Sequence, residues 1–178
     1  MKYFIIFALL AYLAVIFYMP LLRHFVKPTY WAGLGVIPVV MMAEVFMGVY
    51  SNLSFWYKLT DQTHWGAIMS AVGAVVMIGI NTIFVPEYGY WACSWGGFFG
   101  YAIPMLMSYF IGRKKYPVEY DMKSIASFTV LAAVLFLASR GLEKLGMGPV
   151  ALMACNTVLL AVYMVPVAMP LLKKLGAH

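Results

Sequence analysis

The chain has little charge, few acids and almost no cysteine. Charged residues make up 10% of its 178 residues, whereas a soluble domain has about 25%. Only 6 residues are acidic, 2 are cysteines, and 65% of the chain is hydrophobic. This composition excludes an ordinary soluble domain and predicts an integral membrane protein.

The usual signatures of an enzyme are also missing. The sequence has no HExxH motif, no glycine-rich phosphate loop and no acidic cluster for a divalent metal. The histidines His24, His64 and His178 lie far apart along the chain. We therefore expect no enzyme activity, no metal and no cofactor. Cys93 and Cys155 have no CxxC spacing and lie in apolar segments, so we expect both to be buried packing residues.

Long apolar runs are what the sequence has instead. A membrane-spanning helix needs about 20 mainly apolar residues. Segments of this kind lie at residues 3–22, 33–57, 65–85, 91–111, 124–142 and 147–172. Short loops favour antiparallel neighbours, and helices satisfy their own backbone groups in lipid. The sequence predicts an all-α polytopic membrane protein, a single membrane domain (1–178) of six transmembrane helices arranged as antiparallel hairpins.

The cations in the loops predict the orientation. One side collects Lys2, Lys58, Arg113, Lys114, Lys115, Lys123, Lys173 and Lys174, and the other collects Arg23, Lys27, Arg140 and Lys144. Because cytoplasmic loops are enriched in Lys and Arg, we expect both termini to be cytoplasmic. The same scatter lacks a basic stripe for a phosphate backbone, so we expect no nucleic-acid partner.

A polar stripe begins in the middle of the second apolar segment. Glu44 lies at a depth where an ionised acid costs several kcal/mol unless it is paired, protonated or facing water. Helical spacing places Gly48, Ser51 and Asn52 on its face, leading to the polar stretch 50–63. One interpretation is a cavity face for a polar substrate or a proton. The other is a protonated Glu44 that hydrogen bonds a neighbouring helix. The candidate residues of the stripe are Glu44, Ser51, Asn52, Tyr57 and Lys58.

A second stripe runs along the third segment and ends at Asn81. Its members are Gly66, Ser70, Gly73, Met77 and Asn81. Small residues let membrane helices approach closely, and Asn can bond across the contact, so packing competes with a substrate contact at Asn81. For Gly96, Gly100 and Pro104 in the fourth segment we predict packing.

Three segments resemble a known family. They are YSNLSFWYKLTDQTHWGA (50–67), GINTIFVPEYGYWACSWGGF (79–98) and SYFIGRKKYPVEYD (108–121). In this order and spacing they resemble the C-terminal part of polysaccharide biosynthesis proteins, the O-antigen and exopolysaccharide flippases of the multidrug/oligosaccharidyl-lipid/polysaccharide (MOP) exporter superfamily. Relatives favour a neutral polar residue, often Asn, near Glu44, so this chain departs from the family there.

The resemblance implies a function and a location. Family members have fourteen spans in two lobes and two extra helices, and this chain matches only the last six. Family members carry a polyprenyl-pyrophosphate-linked oligosaccharide across the bacterial inner membrane, with an ion gradient as the expected driving force. The resemblance thus implies a partial flippase, truncated or split, with lipid-linked oligosaccharide and membrane lipids as partners. Another chain or a second copy would supply the other lobe.

The resemblance also suggests contacts for the pyrophosphate. Cations near helix ends are the candidates: Arg23, Lys58 and Arg140. The alternative for each is a side chain that extends to the membrane surface. Two other functions stay open, a non-transporting remnant or assembly subunit and a small homodimeric ion-coupled transporter.

Overall fold

A computed structural model describes residues 2–115, 122–144 and 149–175 of the chain. These residues are helical almost throughout and contain no strand. The helices are α1 (Lys2–Phe17), α2 (Met19–Phe25), a 3-10 helix (Pro28–Val36), α3 (Ile37–Leu53), α4 (Phe55–Leu59), α5 (His64–Tyr88), α6 (Tyr90–Lys115), α7 (Met122–Lys144) and α8 (Pro149–Leu175). The all-α prediction is confirmed.

Several helices are long and apolar enough to cross a membrane. Among the described residues they are Pro28–Leu59, His64–Tyr88 and Ser124–Leu142, and the bent pair α1–α2 adds one more if it counts as a single span. α5 leaves large apolar side chains exposed, and a soluble monomer rarely exposes contiguous apolar patches of this kind. Val75 is 69% exposed, Ile78 65% and Ile83 66%. These features suggest a membrane protein.

The remaining two predicted spans do not meet the same criterion of length and hydropathy. α6 contains the segment 91–111, but its Trp, Tyr and Gly residues lower its mean hydropathy. The segment 147–172 is covered mostly by α8, but side chains are described only for its part Ala151–Val167, and that part is short for a span. The six-span arrangement therefore stays a prediction.

The first predicted span, residues 3–22, is broken rather than continuous. α1 and α2 meet at a bend of 64°. Pro20 has no N–H, so the carbonyl group of Ile16, four residues before it, loses its usual helical partner. The N–H groups of Leu21 and Leu22 both donate to the carbonyl oxygen of Tyr18 at 3.0 Å. The Phe17 carbonyl is thereby released from the helical hydrogen bonds.

The chain divides into two compact units, Tyr30–Tyr120 and a second unit of Lys2–Thr29 with Asp121–His178. In the first unit, α6 packs against both α3 and α5. In the second, α1 packs against α7 and α8, which also contact each other. A single membrane domain over the whole chain stays a prediction.

Loops predicted on the same side of the membrane meet within each unit. In the first unit, Lys115 Nζ at the end of α6 donates to Gln62 Oε1 in the α4–α5 turn, at 3.1 Å. In the second, Lys2 Nζ donates to Ser124 Oγ at 2.9 Å, which joins the starts of α1 and α7. The side of the membrane that these ends face stays a prediction.

Candidate functional site

One face of α3 and α4 carries three of the predicted site residues. Glu44, Ser51 and Lys58 are all exposed and follow one another at intervals of seven residues. Two helical turns separate each from the next, so they share a face. Ala43 and Val45, the residues on either side of Glu44 in the chain, are buried within the first unit. We call Glu44, Ser51 and Lys58 the polar face.

Glu44 has no partner within the described part of the chain. No hydrogen bond or ion pair joins its carboxyl group to another described residue. The packing interpretation of Glu44 needs such a bond to a neighbouring helix, and the first unit does not supply one. The Glu44 carboxyl group is therefore available to contact water, lipid, a ligand or another protein segment.

Asn52 and Tyr57 are engaged inside the first unit. Asn52 Nδ2 donates to the Gly48 carbonyl of its own helix at 2.9 Å. Tyr57 is 6% exposed and packs with Trp56 and Met69, while its hydroxyl group lies 3.4 Å from that of Tyr50. Both side chains therefore have structural contacts that do not require a ligand.

Part of the stripe that ends at Asn81, namely Gly73, Met77 and Asn81, packs against α6. A Cβ atom added at Gly73 would lie 2.6 Å from the Gly100 carbonyl oxygen and 2.8 Å from Pro104. One added at Gly96 would lie 2.5 Å from Asn81 Oδ1. The packing prediction for Gly96, Gly100 and Pro104 is confirmed, because all three are buried and contact residues of α5. Asn81 Oδ1 is buried with no hydrogen-bond partner among the described residues.

A groove of about 320 Å³ lies between α3 and α5, with α6 beneath it. It is lined by Met47 and Ser51 from α3, Ser70 and Met77 from α5 and Tyr101 from α6, among others. Ser51 belongs both to this groove and to the polar face. The groove and the polar face therefore meet at Ser51.

A larger groove of about 460 Å³ is lined by apolar and aromatic residues of α5 and α6. Phe84, Trp91 and Trp95 are among them, and none of the described lining residues is charged. Tryptophan and tyrosine are enriched where membrane meets water. This groove suits contact with lipid.

The second unit contains a polar cavity of about 300 Å³ at the α1–α2 bend. We call it the bend cavity. Its lining residues are Ile16, Met19, Pro20, Arg23, His24, Ser139, Arg140, Leu152 and Asn156. Arg23, His24 and Arg140 are exposed, whereas Ser139 is 8% and Asn156 2% exposed. The cavity thus combines exposed cationic groups with a buried polar floor.

The buried floor is held by hydrogen bonds between three helices. Ser139 Oγ on α7 donates to Asn156 Oδ1 on α8 at 2.8 Å. Asn156 Nδ2 donates to the Phe17 carbonyl at the end of α1, at 3.1 Å. That carbonyl is the one that the bend releases, so Asn156 satisfies a backbone group that lipid could not.

The structure brings together some predicted residues and adds others. Arg23 and Arg140, which are far apart in the sequence, line one cavity, and Glu44, Ser51 and Lys58 share one face. Sequence reasoning missed Ser139 and Asn156, although an asparagine inside an apolar run is a signal that could have found the second. Within the described residues, no group of His, Cys, Asp and Glu could hold a metal ion.

Comparisons with known proteins do not add to these observations. No family model, no curated protein sequence and no solved structure matches the chain.

Proposed function

We propose that the chain is one lobe of a bacterial inner-membrane exporter for polyprenyl-pyrophosphate-linked oligosaccharide, with six spans and both termini cytoplasmic. The resemblance of residues 50–67, 79–98 and 108–121 to polysaccharide flippases supports the proposal. The observation that carries it is Glu44, an exposed acid inside an apolar span, without a partner in the described residues. Such a residue is costly in lipid and is by default a functional candidate.

The polar face and its groove suit a passage along the first unit. A polar substrate or a coupling ion moving past Glu44 and Ser51 would supply the contacts that lipid cannot. Lys58 at the end of that face, and Arg23 and Arg140 in the second unit, are proposed contacts for the pyrophosphate. Arginine suits this role because its guanidinium group binds phosphate with two parallel hydrogen bonds.

Alternating access in transporters of this general kind takes place between two lobes or repeats. The described helices would form one side of the passage. We propose that the opposing side comes from further spans of the same polypeptide, from a separate chain or from a second copy.

A transport assay with matched acid-to-amide variants tests the proposal. The protein is expressed in a bacterial strain that lacks its oligosaccharide flippase, and surface polysaccharide is measured. We expect Glu44→Gln to reduce export by about tenfold, since a contact to a charged group contributes about 1.5 kcal/mol or more. Glu87→Gln is the control, because Glu87 is an exposed acid at the far end of α5, outside the groove.

Two outcomes would count against the proposal, and a third would identify the opposing side of the passage. Equal export by wild type and Glu44→Gln removes Glu44 from the passage. No export at all, with the protein and any separate chain that supplies the opposing side both present in the membrane, favours the non-transporting assembly subunit. Export by a chain that crosslinks to itself in native membrane favours the homodimeric transporter.

A further inference from the structure

One side of α6 carries exposed apolar side chains that lead to two exposed cations. Leu106 is 47% and Phe110 65% exposed, and Arg113 and Lys114 are exposed in the last turn of the helix. Counted from Leu106, the other three follow at four, seven and eight residues, so helical spacing places all four on one side. We call Leu106, Phe110, Arg113 and Lys114 the outer face of α6.

The opposite side of α6 holds the helix against the rest of the first unit. Ser108 and Gly112 are buried there. Trp56 Nε1 donates to Ser108 Oγ at 3.3 Å, and a Cβ atom added at Gly112 would lie 2.8 Å from the Trp56 indole. Lys115 also contacts this side, with Nζ 4.6 Å from the centre of the Trp65 ring. These contacts fix the rotation of α6, so the outer face stays turned away from the unit.

Arg113 and Lys114 differ from the neighbouring Lys115 in their contacts. Lys115 Nζ donates to Gln62 Oε1 at 3.1 Å. Arg113 and Lys114 make no hydrogen bond, ion pair or ring contact with any residue of the described part of the chain. The sequence of α6 contains no acid that could neutralise them. A helix C-terminus favours cations in its last turn, but it does not account for the apolar side that leads to them.

The outer face offers surroundings for both parts of a phospholipid. α6 packs against α3 and α5, and both of these lie in stretches long and apolar enough to cross a membrane. Leu106 and Phe110 therefore lie at a height where acyl chains surround the protein. Arg113 and Lys114 follow about 5 Å further along the axis, at a rise of 1.5 Å per residue. Their long side chains reach the level of the headgroups.

We infer that the outer face of α6 is a binding site for an anionic phospholipid of the membrane. The acyl chains lie along Leu106 and Phe110, and the headgroup phosphate contacts Arg113 and Lys114. Arginine binds phosphate oxygens with two parallel hydrogen bonds, and lysine adds a second positive charge. The site belongs to the first unit alone, and it stands whether or not the chain exports an oligosaccharide.

The combination of surfaces selects an anionic lipid over other ligands. A soluble phosphate would contact the two cations and leave the apolar part of the face without a partner. A zwitterionic lipid would cover the apolar part, but its ammonium group would be repelled by the two cations. Each basic residue near an anionic membrane surface strengthens the attraction by about fivefold. Two of them together give a preference of about 30-fold.

Binding is tested on the full chain in nanodiscs that contain equal amounts of phosphatidylglycerol and phosphatidylcholine. The ratio of the two lipids that stay bound is measured by mass spectrometry of the intact complex. The measurement is repeated with excess inorganic phosphate, which competes for the cations and cannot cover the apolar part. A phosphatidylglycerol with a photoreactive acyl chain is then crosslinked to the protein, and the labelled peptide is sequenced.

The variants are Arg113→Gln and Lys114→Gln, and the matched control is Lys115→Gln. The control removes the same charge from the same helix end, but from the packed side. We expect Arg113→Gln and Lys114→Gln each to lower the preference for phosphatidylglycerol by about fivefold, and Lys115→Gln to lower it by less than about twofold. Arg113→Lys keeps the charge and should keep most of the preference. Thermal unfolding in detergent checks that all four variants remain folded.

The lipid site makes a specific pattern of results necessary. Loss of the preference in Arg113→Gln and Lys114→Gln but not in Lys115→Gln, with crosslinks on residues 106–114, supports the inference. Equal loss in all three glutamine variants would show a general attraction to the cationic end of the unit and would overturn the site. The same conclusion follows if phosphatidylglycerol is not preferred, if inorganic phosphate displaces it, or if the crosslinks fall on another helix.

Discussion

Two asparagines show that the same residue type can contribute differently to stability. Asn52 bonds the Gly48 carbonyl of its own helix, four residues earlier. Asn156 is 2% exposed, accepts a hydrogen bond from Ser139 and donates one to Phe17 on another helix. Loss of the Asn52 hydrogen bond affects one helix turn. Loss of the Asn156 side chain leaves the buried Phe17 carbonyl and the buried Ser139 hydroxyl group without partners. Burial and connectivity, rather than residue type, decide the cost.

We predict that Asn156→Ala destabilises the protein by about 1–2 kcal/mol, which is the upper range for hydrogen bonds between membrane helices. Asn52→Ala, the matched control, should change the free energy of unfolding by less than about 0.5 kcal/mol. Unfolding in mixed micelles, followed by circular dichroism, measures both. If the two variants are equally stable, the hydrogen bonds of Asn156 do not support the α1–α2 bend.

Cys93 corrects another expectation at the residue scale. The predicted buried packing residue is exposed on α6, and Cys155 is half-buried. The sequence prediction was wrong for Cys93 because an apolar run does not reveal which face of a helix packs. In lipid an exposed cysteine has an apolar environment and needs no burial in protein.

The packing of α5 against α6 is decided by glycines. Gly73 meets the Gly100 carbonyl oxygen and Pro104, whereas Gly79 on the same helix has open space around it. Small residues let membrane helices approach closely, and the backbone of one helix then packs on that of the other. Gly73 and Gly79 therefore have different roles, although both lie within the same predicted span.

We predict that Gly73→Ala destabilises the first unit by about 1–3 kcal/mol, because the added methyl group forces α5 and α6 apart. Gly79→Ala is the control and should be neutral or stabilising by up to about 1 kcal/mol, since alanine favours a helix. Thermal unfolding of the two variants in detergent compares them directly. Equal melting temperatures would contradict the close contact at Gly73.

At the scale of the whole molecule, exposed apolar side chains and loop charges act together. The exposed surface of α5 suits lipid, and cationic loops decide which end of a helix stays in the cytoplasm. Thr63 lies just before α5, in the turn predicted to be cytoplasmic, and Glu87 lies near the opposite end of the same helix. Both are exposed. The pair can therefore report the orientation of α5.

We predict that a cysteine at Glu87→Cys reacts with a membrane-impermeant maleimide added to intact cells, and that one at Thr63→Cys does not. Both are made after Cys93→Ala and Cys155→Ala remove the native thiols. Labelling after the cells are opened is the control, and both cysteines should then react. The reverse pattern would show that the charge asymmetry does not orient this chain.

Much of the fold could be predicted from the sequence, but less of the site. Long apolar runs are sufficient to predict helices, because in lipid a helix satisfies its own backbone groups. The break at Tyr18 was missed because hydropathy averages over Pro20 and does not register a lost hydrogen bond. Glu44 could be found because a lone acid in an apolar run is conspicuous. Ser139 and Asn156 lie on different helices, and no sequence spacing brings them together.

The sequence by itself determined that this chain is helical and suited to a membrane, because composition and the length of apolar runs decide both. It also singled out Glu44, because an acid inside an apolar span is costly, and Arg23 and Arg140, because charged residues are rare in this chain. Only the tertiary structure decided that Glu44 faces outward and that Asn81 lies against Gly96. It also decided that Arg23 and Arg140 share one cavity. The physical reason is that exposure and convergence depend on which helices pack together, and that information is spread over residues far apart in the chain.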